Sequence, residues 1–200
     1  MTKKALLFLP LFALAACNNG DAGSSMTNSP GGNSMNGVIN GPMETPANSA
    51  TIGMEAAPTP TDATTYLAKA GAGDMFEIES SRAILDKTQN ADIKSFAQMM
   101  IDDHGKATAK LKSAAQAAKL TAPPPALEPK QQQAIANISA ADGAAADRAY
   151  LDAQKMAHQE ALALHQGYAV GGDTEQLKTA AGEIAPVVQS HIEMLAKITA

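Results

Sequence analysis

The sequence predicts an all-α protein whose folded part is a four-helix bundle with a longer connection between its two helical hairpins. From residue 62 onward the chain is rich in alanine and poor in aromatic residues, a composition that suits closely packed helices better than sheets. Apolar residues recur there at spacings of three and four, which is the period of a helix with one buried face. Short breaks containing proline, glycine or asparagine divide this pattern into four long segments.

Local signals bound each predicted helix. Asn90 can cap the second helix, and three consecutive prolines at 123–125 interrupt the chain after it. Asp173, with Gln176 three residues later, has the spacing of a capping box, and Pro186 should kink the last helix. Residues 120–142 then form the longer connection between the hairpins. The predicted helices are 62–87, 90–119, a short 127–140, 143–169 and 173–199.

The first 16 residues have the order of a secretory signal peptide. Lys3 and Lys4 precede an apolar run at 5–13 that is too short to span a bilayer, and small residues lead to Cys17. This arrangement resembles the lipobox of bacterial lipoproteins, whose cysteine is acylated with fatty acid and becomes the first mature residue. Cys17 is the only cysteine, so a disulfide cannot explain it. The alternative is an ordinary secreted protein cut nearby, with a free thiol.

Residues 17–61 are predicted to be the lipidated cysteine and a disordered tether, because they are rich in Asn, Gly, Ser, Pro and Thr and have almost no apolar periodicity. Asn18 follows the cysteine, and the lack of Asp at that place is typical of an outer-membrane destination facing the periplasm. Loss of the two signal-peptide lysines lowers the net charge from −5 to −7. An acidic chain without a basic cluster argues against nucleic acid as a partner, and no protein partner can be inferred.

At least one polar side chain interrupts the apolar stripe near the middle of each long predicted helix. From the distance of each residue to its turn, at 1.5 Å per residue, Glu77, His104 and His158 are expected at similar depths. His191 is expected one or two turns away from them. The four candidate residues are Glu77, His104, His158 and His191.

Two interpretations of these residues stay open. Neutral imidazoles and one carboxylate could hold a small ligand or a transition metal such as Zn or Fe between the helices. The same groups could instead form a buried hydrogen-bond network that only stabilises the core. The sequence has no glycine-rich phosphate loop and no nucleophile elbow, and the spacing of seven between His158 and His165 is not that of zinc peptidases.

Several stretches of the folded part match one family pattern: 70–79, 95–104, 147–151 and 158–160, followed by Pro186 and His191. Together they resemble the bacterial domain-of-unknown-function family 4142, which is common in secreted and lipoprotein-anchored proteins. The resemblance covers about residues 62–198 and implies a ferritin-like four-helix bundle, but no established activity. It also implies supporting polar roles for Asp103, Asp147 and Tyr150.

The chain departs from catalytic ferritin-like proteins, which place a Glu-x-x-His motif on two helices. Ile101, Lys155 and Val188 occupy the positions three residues before His104, His158 and His191. The usual carboxylate-rich di-iron cage is therefore absent, and fold analogy alone does not establish an enzyme. The leading hypothesis is a lipid-anchored envelope protein that acts as a non-catalytic binding or envelope-support module. The alternative is a metal-binding or redox protein that uses the His/Glu cluster.

Overall fold

The computed structural model describes residues 59–200, so the predicted signal peptide, Cys17 and the tether up to residue 58 lie outside the described residues. The all-α prediction is confirmed, since this part of the chain contains five helices and no strand. None of these helices combines the length and the apolar character needed to cross a bilayer. The helices are α1 (Ala63–Leu85), α2 (Ala91–Ala117), α3 (Pro129–Ala140), α4 (Gly143–Gly171) and α5 (Glu175–Leu195).

Side-chain caps begin the first two helices, and the cap of the second is the one that the sequence predicts. The Asp62 carboxylate accepts a hydrogen bond from the amide of Thr65, and Asn90 accepts from the amides of Asp92 and Ile93. These bonds satisfy amides that have no partner within the helix.

The capping box predicted at Asp173 is wrong. Helix α5 begins one residue later, with Thr174 as its N-cap and no side-chain cap hydrogen bond. The Asp173 carboxylate instead accepts from the hydroxyl of Tyr168 at 2.9 Å and from the amide of Ala63 at 3.3 Å. Its backbone amide donates to the carbonyl of Thr61, so the chain just before α1 is tied to the turn between α4 and α5. The Asp173 carboxylate therefore bonds Tyr168 and Ala63 and does not cap helix α5.

Unusual backbone conformations occur at two helix ends. Helix α2 ends in a Schellman motif, in which the amide of Leu120 donates to Ala115 and the amide of Lys119 donates to Gln116. Lys119 therefore adopts a left-handed φ of 58°, a conformation that glycine usually supplies. Helix α4 starts at Gly143, whose φ of +53° lies in the same left-handed region, which glycine adopts without the strain that a side chain adds.

The four long helices contact one another in a closed cycle. Helix α1 packs on α2, α2 on α5, α5 on α4 and α4 on α1, while α3 packs on α1 and α4. The interior contains two apolar clusters, one toward each end of the helices. Near the boundary between these clusters the core also contains buried polar residues, and the four that the sequence singled out, one on each long helix, form a polar layer. They are Glu77, His104, His158 and His191.

Candidate functional site

Three histidines from three helices meet in the polar layer. The ring centroids of His104 and His158 lie 5.8 Å apart, those of His104 and His191 5.7 Å, and those of His158 and His191 5.5 Å. One nitrogen from each ring lies within 4.8 Å of the other two. All three residues are buried, and His158 is entirely inaccessible to solvent. The helices therefore deliver three imidazoles to one point in the core.

Each of these three rings uses one nitrogen to bond an oxygen at the periphery of the cluster. Two of the acceptors are carboxylates and the third is a backbone carbonyl, so in each case the ring donates an N–H. A fixed donor nitrogen sets both the tautomer and the orientation of the ring. The pairs are His104 Nδ1 with Asp74 Oδ1 at 2.8 Å, His158 Nδ1 with the carbonyl of Gln154 at 2.9 Å, and His191 Nε2 with Asp103 Oδ2 at 3.2 Å.

The second nitrogen of each ring has no hydrogen-bond partner. The unpartnered atoms are Nε2 of His104, Nε2 of His158 and Nδ1 of His191, and all three are out of contact with solvent. Burying an unsatisfied polar atom costs about 1–3 kcal/mol, so three such atoms at one place require an explanation. Histidines that bind a metal ion have the same arrangement: one ring N–H is bonded to an oxygen outside the cluster, and the lone pair of the other nitrogen is free.

The protonation of the rings follows from burial and from neighbouring charge. Burial, together with the charge of His104, lowers the pKa of His158 to about 3, so this ring is neutral at neutral pH. Burial also lowers the pKa of His191. For His104 burial acts in the same direction, but the hydrogen bond that the ring donates to Asp74 and the charges of Glu77 and Asp74 outweigh it and raise the pKa. A metal ion bound here would compete with a proton for the inner nitrogen of His104.

Asp74 was not singled out as a site residue by the sequence pattern, yet it is the buried partner of His104. One carboxylate oxygen accepts from His104, and the other accepts from the hydroxyl of Thr108 at 2.8 Å. The side chain is 4% exposed. Its position supplied a signal, because Asp74 precedes Glu77 by three residues and Thr108 follows His104 by four, so each lies on the same helix face as a candidate.

Glu77 lies beside the histidines and is not one of the three that converge. Its Oε1 is 3.3 Å from Nδ1 of His158, and neither carboxyl oxygen has a hydrogen-bond partner. Burial is the main cause that raises the pKa of Glu77 to about 7. The carboxyl group therefore exchanges a proton near neutral pH, next to the outer nitrogen of His158.

His191 lies closer to the other histidines than its position along the chain predicts. His158 lies 13 residues before the end of α4 and His191 lies 16 residues after the start of α5, a difference of about 4.5 Å along the helix axes. Helical side chains lean toward the N-terminus of their own helix. In this hairpin the lean carries His158 away from the turn and His191 toward it. The side chains thus close the gap that their backbones leave.

The supporting residues have separate positions. Asp103 holds His191 with one carboxylate oxygen, while its other oxygen accepts from Lys106 at 2.8 Å. The Tyr150 hydroxyl bonds Ser81 Oγ at 2.8 Å, and its ring is buried in an apolar cluster. Asp147 is buried with one oxygen unpartnered, and it lies about 16 Å along α4 from the level of His158. Neither Asp147 nor Tyr150 belongs to the histidine group.

A second buried polar cluster lies further along α4. The Tyr66 hydroxyl bonds His165 Nδ1 at 2.9 Å, and the Tyr66 ring stacks on Tyr168 with centroids 3.8 Å apart. The Tyr168 hydroxyl donates to Asp173. Burial lowers the pKa of His165 to about 4, so the neutral ring accepts the Tyr66 proton donor. None of these four residues has a buried polar side-chain atom without a partner.

Comparison with known proteins places the chain in a family. The structure is similar to the crystal structure of a DUF305 fragment from Deinococcus radiodurans, with a TM-score of 0.59 and 13% sequence identity over 70% of this chain and 96% of that one. At that identity the likeness concerns the fold alone. None of the curated proteins matches this chain. A family model described as Domain of unknown function (DUF4142) matches residues 47–198, and the chain therefore belongs to that family.

Proposed function

We propose that this protein binds one late transition-metal ion, of which Zn²⁺ is the representative, between His104, His158 and His191. The observation that carries the proposal is the set of three buried ring nitrogens that have no hydrogen-bond partner. They belong to rings that meet at one point, and each ring is already fixed by a hydrogen bond from its other nitrogen. A network built only for stability would pair these atoms, because each unpaired one destabilises the fold.

The donor set selects the class of metal. Imidazole nitrogen suits Zn, Cu, Fe and Ni, whereas Mg and Ca prefer oxygen ligands. Three protein ligands leave a coordination position for water or another small ligand, as in open zinc sites. Among the described residues, Glu77 is the one carboxylate beside the rings that is not already hydrogen-bonded to an imidazole or a lysine. A di-iron site needs several carboxylates, so the residues fit a mononuclear nitrogen-rich site better.

The proposal extends to the architecture and location of the protein. The closed cycle of contacts among α1, α2, α5 and α4 supports a ferritin-like four-helix bundle, with α3 in the connection between hairpins. The lipobox-like sequence that ends at Cys17 supports a lipid anchor and an envelope location, with the outer membrane as the destination. The metal site would then be presented in the periplasm on a tether. Within residues 59–200, no side-chain arrangement favours a purely supportive role in the envelope.

Equilibrium titration with Zn²⁺ and Co²⁺ tests the metal proposal. The purified protein, stripped with chelator, should bind one ion per chain, and Co²⁺ should develop the visible absorption of a nitrogen-ligated ion. His104→Ala and His158→Ala should each lose that site. The matched control is His165→Gln, which changes a buried histidine on the same helix and should leave binding intact. Binding that survives both alanine substitutions would overturn the proposal, as would no binding by the wild type.

A further inference from the structure

The two carboxylates that hold the histidine cluster differ in their access to solvent. Asp74 is 4% exposed, and both of its oxygens are bonded inside the protein. Asp103 has a side chain that is 26% exposed, and one of its oxygens bonds Lys106, whose side chain is 75% exposed. The third acceptor is the backbone carbonyl of Gln154 within α4. Among the three peripheral hydrogen bonds of the cluster, the His191 and Asp103 pair is the one that reaches water.

Each of the two carboxylates also lines a depression in the surface. Asp103 and Lys106 line an open depression of about 700 Å³ along α2, together with Asp102, Gln98 and Lys94. Asp74 is among the residues that line a smaller one of about 300 Å³. Most residues that line the smaller depression are apolar, among them Leu67, Met75, Ile78 and Leu111, and Lys112 lines it too. A hydrated cation loses less hydration along the first route than along the second.

The charge on Asp103 favours the approach of a cation. One carboxylate oxygen accepts from Lys106 and the other accepts from His191, and the side chain is 26% exposed. The carboxylate is thus in contact at once with solvent and with His191. Lys106 is three residues further along α2 and covers one of its oxygens. An exposed lysine leaves such a contact readily, because exposed ion pairs contribute little free energy.

We propose that metal ions enter and leave the three-histidine site past Asp103, with Lys106 as a displaceable cationic cover. The inference rests on the proposed metal-binding function and adds the route and its control. An incoming ion would meet the exposed oxygen of Asp103 after Lys106 swings away. It would then pass to the free Nδ1 of His191, which is the ring that Asp103 holds. The cover slows both entry and exit, so it acts on exchange rate more than on affinity.

Stopped-flow loading of the chelator-stripped protein with Zn²⁺, followed by a zinc-sensitive dye, tests this route. At low salt Lys106→Gln should raise the association rate about threefold or more, because a positive charge at the entrance is removed. Lys106→Glu should raise it further, and about 1 M salt should remove the differences, since the screening length falls to about 3 Å. Both substitutions are on an exposed side chain and should leave folding intact. The matched control is Lys112→Gln, in the lining of the other depression, which should load at the wild-type rate.

Two results would overturn the route while leaving the metal site in place. One is wild-type loading by Lys106→Gln, and the other is faster loading by Lys112→Gln alone, which would place the entrance beside Asp74. Equilibrium titration of the same samples separates these results from failure of the proposed function. A wild type that binds one Zn²⁺ at a rate independent of Lys106 contradicts only the route. A wild type that binds no Zn²⁺ at equilibrium contradicts both.

Discussion

Two buried histidines on one helix have opposite surroundings, and the difference between them supports assigning one of them to the proposed metal site. His158 and His165 are seven residues apart on α4, and both are almost wholly buried. His165 accepts the Tyr66 hydroxyl and belongs to a cluster in which every buried polar side-chain atom has a partner. His158 meets two other histidines, and each of those three rings has an unpartnered nitrogen. Burial alone therefore does not indicate metal binding, whereas convergent ring nitrogens without a partner support it.

The difference between His158 and His165 should have its largest effect on stability when Zn²⁺ is added. Saturating metal stabilises the folded state by mass action, by about 2.7 kcal/mol at a hundredfold excess over the dissociation constant. His165→Gln should keep this gain in full, and His158→Gln should lose it. Chemical denaturation with and without Zn²⁺ measures the four values. Equal gains in the two variants would mean that the satisfied and unsatisfied clusters do not differ in function.

Replacing the carboxylate behind each cluster should affect Zn²⁺ affinity for the histidine cluster only. Asp74→Asn should weaken Zn²⁺ binding about 10- to 100-fold, the usual cost of losing a carboxylate behind a metal-bound histidine. Asp173→Asn, which alters the carboxylate of the other cluster, should leave the affinity unchanged. Competition against a chelator of known affinity measures both. The prediction fails if Asp74→Asn binds as tightly as the wild type.

Replacing one histidine of each cluster by leucine, in the absence of metal, should also distinguish the two clusters by their stability. His165→Leu leaves the Tyr66 hydroxyl buried and unpaired, so it should reduce the free energy of unfolding by about 1–3 kcal/mol. His191→Leu removes an unpaired nitrogen, and its partner Asp103 keeps Lys106 and water. We therefore expect a smaller loss, within about 1 kcal/mol, or a gain. Urea denaturation in chelator gives both values, and a larger loss for His191→Leu would favour a structural role for the cluster.

The dependence of stability on pH should be small close to neutrality and should grow as the solution becomes more acidic. The pKa of His165 is about 4 in the folded protein, below its ordinary value of 6.5, so the unfolded chain binds more protons between these values. Its contribution is complete above about pH 6.5 and is lost as the pH falls toward 4. The deficit of His165→Gln relative to the wild type should consequently shrink over that range in chelator. A constant deficit would mean that His165 is not held neutral by burial.

The period of the sequence predicts the helical class and the faces on which the histidines lie, because both depend on local spacing. It does not predict the depth of His191, which depends on the lean of side chains in a hairpin, or the role of Asp74, which depends on a contact with another helix. The capping box at Asp173 fails for the same reason, since Tyr168 and Ala63 occupy its carboxylate. Local patterns predict elements, and partners across the core decide what each polar group does.

Binding of Zn²⁺ between the three histidines can be tested with a crystal structure of the Zn²⁺-loaded protein and anomalous diffraction at the zinc edge. We expect one strong peak in the core, about 2.0–2.1 Å from each of three nitrogens. These are Nε2 of His104, Nε2 of His158 and Nδ1 of His191, the atoms that have no other partner. Anomalous peaks confined to the surface, with the three rings hydrogen-bonded to one another or to water, would contradict it.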